Sequence, residues 1–252
     1  MESIAELAKG YEQAVRNGNG PLMPRNDIDR IITNSYSNRP TLDQLDATHP
    51  GVKRAIDAAY AWKKRYSASI DPENEAPPRA PSLVLSGPNG TGKTHIARSL
   101  LWGRVVCPMD DNRQVMLEQS RPAAKWFDST DLILRLAAYQ TEYHTVEYAS
   151  VGSLIGSSPY AVVDDLGGEG IIPFVKGEDQ PFERQSRWFR FFDFCYANNI
   201  PLIITTNLDV KKGELADWIG RRAWDRLNEM APVGQMVSMS GVPSWRVKEG
   251  GR

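Results

Sequence analysis

One glycine-rich pattern constrains the fold of this chain more than any other feature. Residues 87 to 94 read Gly-Pro-Asn-Gly-Thr-Gly-Lys-Thr, a complete match to G-x-x-x-x-G-K-[ST]. A strand-like run, Leu83 to Leu85, precedes the pattern, and a helix-like run from His95 to Trp102 follows it. In such a unit the glycines let backbone N–H groups surround phosphates, the lysine adds positive charge and the last hydroxyl ligates Mg²⁺. The pattern therefore predicts that a nucleoside triphosphate binds here, with Thr94 as a metal ligand. The residues predicted to bind it are Gly87, Pro88, Asn89, Gly90, Thr91, Gly92, Lys93, Thr94 and His95.

Composition excludes several other classes of protein. The 252 residues, 41% of them hydrophobic, suffice for one α/β domain with an appendage. The apolar runs are of strand length, well short of the ~20 residues of a membrane helix, so we expect no membrane span or secretory signal. Cys107 and Cys195 stand alone, which predicts neither a metal site nor a disulfide and indicates a reducing, cytoplasmic compartment. A net charge of −1 argues against a basic coat for nucleic acid, although a local basic patch could bind phosphates.

The order of segments predicts the fold class. From Ser82 onward, strand-like and helix-like segments alternate. The predicted strands cover 83–86, 124–127, 160–164 and 201–206, and the predicted helices cover 93–102, 130–140 and 181–198. That alternation is typical of an α/β fold with a mostly parallel sheet, in which ligands bind at the carboxyl ends of the strands. Before it, we expect a small N-terminal helical region over 1–40 and a helical lead-in and proline-rich linker over 41–81, leaving 82–252 for the α/β domain.

Two further strand ends carry polar residues that suit phosphate chemistry. The run Ala161 to Val163 ends in Asp164 and Asp165. Asp164 is predicted to hold the metal and Asp165 to orient or deprotonate water. The run Leu202 to Thr206 ends in Asn207, which could bind the γ-phosphate and the attacking water. The alternative for both is ordinary turn or cap chemistry after a strand.

Arginines near the C-terminal end form another candidate set. Arg222 and Arg226 lie one turn apart on a predicted helix, so both could project from one face. Guanidinium groups suit the spread charge of a phosphoryl-transfer transition state. The alternative is a surface role, in which these arginines pair with Glu214, Asp217 or Asp225.

Taken in chain order, these motifs resemble a known family. The stretches Gly87–Thr94, Val162–Glu169, Thr205–Leu208 and Gly220–Leu227 are similar to those of the AAA+ ATPases of the DnaC/DnaI replicative helicase loader group and the IstB-like ATP-binding family. The resemblance covers about residues 41 to 247, including Ser244-Trp245-Arg246, which is similar to a Ser-aromatic-Arg tail in the loaders. It implies a three-layer α/β/α P-loop NTPase fold of the AAA+ type without a C-terminal lid domain.

The resemblance also implies roles for residues. ATP and Mg²⁺ would bind between adjacent subunits, at Lys93, Thr94 and Asp164. Asp165 and Asn207 would act as base and sensor, Arg226 would be the arginine finger supplied in trans, and Arg222 would be a secondary candidate. Aspartate replaces the glutamate found at the second acid of many AAA+ proteins, so we expect slow, assembly-dependent ATP hydrolysis.

The implied function is that of an ATP-dependent helicase loader. Such a protein would form an ATP-dependent homo-oligomer, engage a hexameric replicative helicase through residues 1–40 and deposit it on single-stranded DNA during replication. Two alternatives remain: an IstB-like transposition helper that binds duplex DNA beside a transposase, and a nucleotide-gated scaffold with little hydrolysis.

Three further segments carry predictions about contacts and surface position. The resemblance to the loaders also implies that single-stranded DNA contacts about residues 129–150, which contain Arg135, Tyr139, Tyr143, His144 and Tyr148. A structural helix with Leu132, Leu136 and Tyr139 in the core is the alternative for that segment. Residues 104–122 are expected to be a surface excursion after the phosphate-loop helix. Arg184, Arg187 and Arg190 are expected on a solvated helix face, or otherwise at a subunit or DNA contact.

Overall fold

A computed structural model describes residues 40–69, 79–108, 114–122, 124–138, 148–156, 158–168 and 181–245. All of the predicted N-terminal region over 1–40 except Pro40, and most of the predicted linker, lie outside these ranges. The described residues belong to two compact units: Trp102–Pro122 falls in one, and the other described segments fall in the second.

The elements follow one another in the order of an α/β domain. After a short 3-10 helix at Leu42–Gln44, the helices are α1 (Pro50–Ser69), α2 (Lys93–Ser99), α3 (Ser129–Ala138), α4 (Tyr148–Ile155), α5 (Pro181–Ala197), α6 (Glu214–Ile219) and α7 (Arg221–Met230). The strands are β1 (Leu83–Ser86), β2 (Trp102–Pro108), β3 (Gln114–Pro122), β4 (Lys125–Asp128), β5 (Ala161–Leu166), β6 (Leu202–Thr206) and β7 (Met236–Ser238).

The second unit is built on a five-stranded parallel sheet in the order β4-β5-β6-β1-β7. Strands β1 and β6 are buried along their whole length. Such continuous apolar runs are typical of parallel strands covered on both faces. Because the strands run in one direction, the carboxyl ends of β1, β5 and β6 meet at the same edge of the sheet. The predicted mostly parallel sheet is confirmed.

Alternate residues of each central strand contribute to two separate cores. Val84, Val163 and Ile204 belong to one core, together with buried side chains from α3, α4, α5, α6 and α7. Leu85 and Ile203 belong to the other, together with α1 and α2. Since successive strand residues point to opposite faces of a sheet, one alternating pattern supplies both cores. The result is the predicted three-layer α/β/α arrangement.

The helix predicted around Val52 to Tyr66 is present as α1. Its buried positions recur at helical spacing and include Val52, Ile56, Ala59 and Trp62. The Trp62 indole also donates a hydrogen bond of 2.7 Å to the Pro81 carbonyl. That bond ties the helix to the backbone just before β1, the strand that leads into the phosphate loop.

Several element boundaries differ from the predictions. Helix α2 ends at Ser99 rather than at Trp102, because strand β2 starts at Trp102. The excursion over 104–122 contains two antiparallel strands, β2 and β3. Strand β7 and helix α6 had no sequence prediction.

Among the described helices, none combines the length and apolar composition needed to cross a lipid bilayer.

Candidate active site

The phosphate loop joins β1 to α2 and surrounds its own lysine. Gly92 precedes α2 with a φ of 96°, a left-handed conformation that glycine adopts without strain. Lys93 is buried, and its Nζ donates hydrogen bonds to the carbonyls of Gly87 at 2.7 Å and Pro88 at 2.8 Å. The ammonium therefore lies inside the loop, where an incoming phosphate oxygen could take the place of a carbonyl.

Asn207 connects this lysine to the second acid of β5. Its Oδ1 accepts a hydrogen bond of 2.9 Å from Lys93 Nζ, and its Nδ2 donates one of 2.6 Å to Asp165 Oδ1. Strand β6 places Asn207 just past its last residue, and β6 lies between β5, which carries Asp165, and β1, which leads into the loop before Lys93. The structure thus brings three residues predicted to act on the γ-phosphate into one hydrogen-bonded line.

Asp164 lies beside the hydroxyl of the phosphate loop. Its Oδ1 accepts hydrogen bonds from Thr94 Oγ1 at 3.0 Å and from Thr205 Oγ1 at 2.6 Å. Within the described ranges, no three His, Cys, Asp or Glu side chains are grouped so that they could hold a metal ion. Mg²⁺ commonly takes only one or two protein oxygens and completes its shell with phosphate and water. Thr94 and Asp164 fit that requirement.

Thr205 is a member of this site that has no role in the sequence interpretation. The pairing of β5 with β6 shifts between Val163 and Leu166, so that β5 carries one extra residue at its two acids. Asp165 has a φ of 57°, and its backbone N–H donates to Thr205 Oγ1 at 2.9 Å. One hydroxyl therefore replaces a missing ladder bond and also holds Asp164.

A second missed group fixes the backbone of Asp165 from the other side. Ser129 Oγ donates a hydrogen bond of 2.7 Å to the Asp165 carbonyl, and the Gly168 N–H donates to the same oxygen at 2.8 Å. Ser129 is the first residue of α3 and is buried. The available sequence signal was weak: a polar residue at a strand end, in Thr205, and another at a helix start, in Ser129.

The charge of Asp165 is disfavoured by its surroundings. Burial raises the pKa of this carboxyl, the charges of Asp164 and Asp128 raise it further, and the charge of Lys93 lowers it. A base with a raised pKa holds a transferred proton more firmly than an ordinary aspartate does.

Segments from both ends of the described chain pack against the phosphate loop. His95 Nε2 lies 2.8 Å from the Thr41 carbonyl, which ties α2 to the start of the 3-10 helix. At the other end, the Trp245 N–H donates a hydrogen bond of 2.9 Å to the Gly90 carbonyl. A Cβ at Gly90 would lie 2.1 Å from Ser244 Oγ, so the loop and this segment are in close contact.

The two candidate arginines lie on α7 and contact α5 and their own helix. Arg226 Nε donates to Asp193 Oδ1 at 2.7 Å, and its Nη1 lies 3.5 Å from Glu229. The Arg222 guanidinium lies 3.9 Å from the centroid of the Phe189 ring. Neither arginine has a partner in the phosphate loop among the described residues. The ion pairs also differ from those of the surface alternative, because Arg226 pairs with Asp193 and Glu229, and Asp225 pairs with Arg221.

The predicted DNA-contacting segment is described only in part. Leu132 and Leu136 are fully buried, as the structural alternative requires, and Arg135 pairs with Asp131 on the same exposed face of α3. Tyr139, Tyr143 and His144 lie outside the described residues, and Tyr148 is the first residue of α4.

One expectation for α5 is wrong. Arg187 does not lie on a solvated face: it is 2% exposed and pairs with Glu183 at 3.3 Å. Its position on the helix falls beside Trp188 and Phe191, which face the core. Arg184 stacks on the Trp218 ring at 3.8 Å.

Comparison with known proteins supports the fold. No protein-family model matches the chain, and no curated protein matches it either. Among solved structures, the crystal structure of the DnaC helicase loader matches with a TM-score of 0.50 and 19% identity, covering 82% of this chain and 98% of that chain. The crystal structure of DnaI matches with a TM-score of 0.48 and 16% identity over 83% and 93% of the two chains. AMPPCP-bound DnaA from Aquifex aeolicus gives 0.45 and 15% over 83% and 53%.

At 19% identity, the likeness to DnaC establishes the fold alone. The chain has a three-layer α/β/α fold on a parallel sheet, with the phosphate-loop sequence between β1 and α2, and this fold is similar to that of the DnaC helicase loader structure. The predicted α/β fold class is confirmed. The predicted resemblance to the helicase loader group is confirmed at this structural level.

Proposed function

We propose that this protein is an AAA+ ATPase that binds ATP with Mg²⁺ and hydrolyses it to ADP and phosphate. One observation carries the proposal: Lys93, Asn207 and Asp165 form a hydrogen-bonded line at the carboxyl edge of the sheet, beside Thr94 and Asp164. We call these five residues the phosphate-loop group. Each supplies the type of atom that phosphoryl transfer needs at its place.

The roles follow from the contacts. Lys93 exchanges the carbonyls of Gly87 and Pro88 for oxygens of the β- and γ-phosphates. Thr94 and Asp164 hold Mg²⁺, which neutralises phosphate charge when bound. As water attacks the γ-phosphorus and the bond to ADP breaks, Asp165 accepts the proton of that water.

Asn207 is suited to sense the third phosphate. Its amide contacts Lys93 and Asp165 at once, so a γ-phosphate that draws Lys93 away changes the bond on the other side. The carboxylate of Asp165 is already engaged by that amide and is one bond shorter than glutamate. Both features favour slow hydrolysis, because the attacking water must transfer its proton to the short Asp165 side chain, one oxygen of which already accepts a hydrogen bond.

Arg226 is the arginine that we propose to act in trans. Its contacts lie on α5 and α7 rather than in the phosphate-loop group. A guanidinium supplied by a second copy of the chain would complete the site only in an ATP-dependent homo-oligomer. Arg222, stacked on Phe189, is the secondary candidate.

The cellular role that we propose is that of a replicative helicase loader. The motif resemblance to the loader group and the fold shared with the DnaC helicase loader support it. In this role, residues 1–40 bind a hexameric helicase, the AAA+ domain over 82–252 assembles with ATP, and the helicase is deposited on single-stranded DNA.

The ATPase proposal is tested by nucleotide binding. Lys93→Ala should weaken the affinity for a fluorescent ATP analogue by roughly 100-fold or more, since it removes the charged donor of the loop. Lys53→Ala is the matched control, because Lys53 is an exposed lysine of α1 paired with Asp57. Micromolar binding retained by Lys93→Ala would contradict the proposed loop.

The loader proposal is tested with purified components. The replicative helicase of the source cell should be deposited on circular single-stranded DNA only when this protein and ATP are present. ATP-dependent filaments on duplex DNA, with no helicase deposited, would instead support the transposition helper. Tight ATP binding with turnover unchanged by Asp165→Ala would support the scaffold.

A further inference from the structure

The guanidinium of Arg226 is held by α5 on two sides. Its Nε donates to Asp193 Oδ1 at 2.7 Å, and its Cζ lies 4.7 Å from the centroid of the Tyr196 ring. Asp193 and Tyr196 are one turn apart on α5, so together they contact the edge and the face of one planar group. A planar cation fixed at an edge and a face loses most of its freedom to rotate.

The other end of the same guanidinium has few partners. Nη1 is 3.5 Å from Glu229, and Nη2 has no partner within the described part of the chain. The Arg226 side chain is 35% exposed, whereas the Asp193 side chain is 17% exposed. The Nε edge is therefore fixed by a largely buried acid, while the Nη end of this one-third exposed side chain keeps donors for two phosphate oxygens.

Tyr196 is itself held from a further element. The Arg79 guanidinium lies 4.2 Å from the centroid of the same ring, and Arg79 Nη2 donates a hydrogen bond to the Tyr196 carbonyl. Arg79 precedes β1 in the chain, so the ring is supported by a second segment besides α5 and α7.

This arrangement differs from an ordinary surface ion pair. Lys53 and Asp57 are both more than half exposed and lie on one helix, a kind of pair that contributes little. Arg226 and Asp193 lie on two different helices that pack together, and the hydrogen bond that Arg226 donates to Asp193 raises the pKa of Arg226.

We propose that Asp193 and Tyr196 are positioning residues, which hold Arg226 as a preformed group for a phosphoryl group bound to a second copy of this chain. The inference rests on the proposed ATPase function, and it assigns to α5 a role in the neighbouring subunit's site. Asp193 and Tyr196 act through Arg226 and do not touch the nucleotide.

The test compares kcat with nucleotide affinity. Asp193→Ala and Tyr196→Leu should each lower kcat by roughly 10- to 100-fold, because a misplaced group loses its transition-state contact. The affinity of the chain for a fluorescent ATP analogue should stay unchanged. Tyr196→Phe keeps the ring and should restore the activity lost in Tyr196→Leu. Asp57→Ala, which removes an acid from the exposed pair on α1, is the control.

Mixing experiments identify which side of the interface is damaged. Asp193→Ala mixed with Lys93→Ala should recover activity, since the two chains combine an intact loop with an intact arginine. Asp193→Ala mixed with Arg226→Ala should not recover, because both lesions affect the same side. Asp193→Asn, which keeps the shape of the side chain, serves if Asp193→Ala fails to fold.

The outcomes separate this inference from the proposed function. If Arg226→Ala lowers kcat while Asp193→Ala and Tyr196→Leu leave it unchanged, the positioning role is wrong and the shared site stands. If Asp193→Ala raises kcat, Asp193 restrains Arg226 instead, which also overturns the inference. If Arg226→Ala itself has no effect, the trans arginine of the proposed function is wrong.

Discussion

The phosphate-loop group and the arginines of α7 are built in opposite ways. In the phosphate-loop group, polar side chains from the loop, β5 and the end of β6 bond to one another. The arginines contact aromatic rings and acids of α5 and α7, with Arg226 directed to Asp193 and Arg222 to Phe189. The first set is the one that we propose to bind the nucleotide, whereas the second has guanidinium donors that no described residue of the same chain uses.

Burial separates the two sets in the same way. Lys93 is 6% exposed, and its ammonium already has three acceptors. The Arg226 side chain is 35% exposed and has one short hydrogen bond. A buried lysine surrounded by acceptors is ready for a phosphate that enters the loop. Arg226 is partly exposed and is held by α5 and α7. It is therefore better placed to contact a phosphoryl group bound to a second copy of the chain.

The largest expected effect is that of Arg226→Ala, which should impair hydrolysis without impairing nucleotide binding by the phosphate-loop group. Arg226→Ala should leave ATP binding near normal and lower the hydrolysis of the assembled protein by roughly 10³- to 10⁵-fold, the range of a trans arginine. The measurement is kcat at saturating ATP over a series of chain concentrations. Arg221→Ala is the matched control, because Arg221 is the highly exposed neighbour that pairs with Asp225.

Mixing two variant chains tests whether Arg226 acts on the site of a neighbouring chain. Arg226→Ala and Asp165→Ala each retain one intact half of the site, so a mixture should recover part of the lost activity. A mixture as inactive as its components would show that both residues act within the same chain, and the contrast between the two sets would then have no functional meaning.

The sequence was sufficient to predict that the residues of the phosphate-loop group lie near one another, because the fold restricts their placement strongly; their roles stay predictions. Buried runs that end in polar residues can meet only at the carboxyl edge of a parallel sheet, and that edge holds Lys93, Asp164 and Asn207. The Thr205 role was missed because it depends on the one-residue shift at the end of β5. A bulge has no reliable signal in a single strand, since it is a property of two strands together.

The prediction of a solvated arginine face on α5 was less successful, for a different reason. Arg187 was predicted to be solvated because arginine is charged. Its position on α5 instead places it among the buried residues of that helix, beside Trp188 and Phe191. Pairing with Glu183 one turn away makes that burial tolerable. The strands β2 and β3 were missed because their polar, proline-containing sequence is also typical of a loop.

A smaller effect should come from the hydroxyl that joins β5 to β6. Thr205→Val keeps the shape of the side chain, removes the donor to Asp164 and leaves the Asp165 N–H unpaired. We expect a loss of about 1–3 kcal/mol in unfolding free energy, together with a clear fall in kcat. Denaturant unfolding and steady-state hydrolysis measure the two effects.

Thr206→Val is the matched control for this change. Thr206 is also buried, and its hydroxyl bonds to the Leu166 carbonyl and the Leu208 N–H but not to either acid. It should lose similar stability while keeping more of its hydrolysis. Equal losses of kcat in both variants would mean that Thr205 supports only the strand, not the acids.

The smallest effect concerns the close contact between the phosphate loop and the Ser244–Trp245 segment. Gly90 has a φ of 79°, and an added Cβ would lie 2.1 Å from Ser244 Oγ. Gly90→Ala therefore faces both backbone strain and a collision, and it should weaken ATP binding by about 10-fold, or 1–2 kcal/mol. Isothermal titration with ATP measures it.

A second substitution separates the collision from the strain. Ser244→Gly removes the hydroxyl and Cβ that the new methyl group would meet, so the double variant should recover part of the affinity, with the strain at φ 79° left as the remainder. Because the arginine side is untouched, Gly90→Ala should still restore hydrolysis when mixed with Arg226→Ala. Failure of that mixture, with both chains folded, would mean that a change in the loop reaches α7, and the two sets would then be one coupled unit.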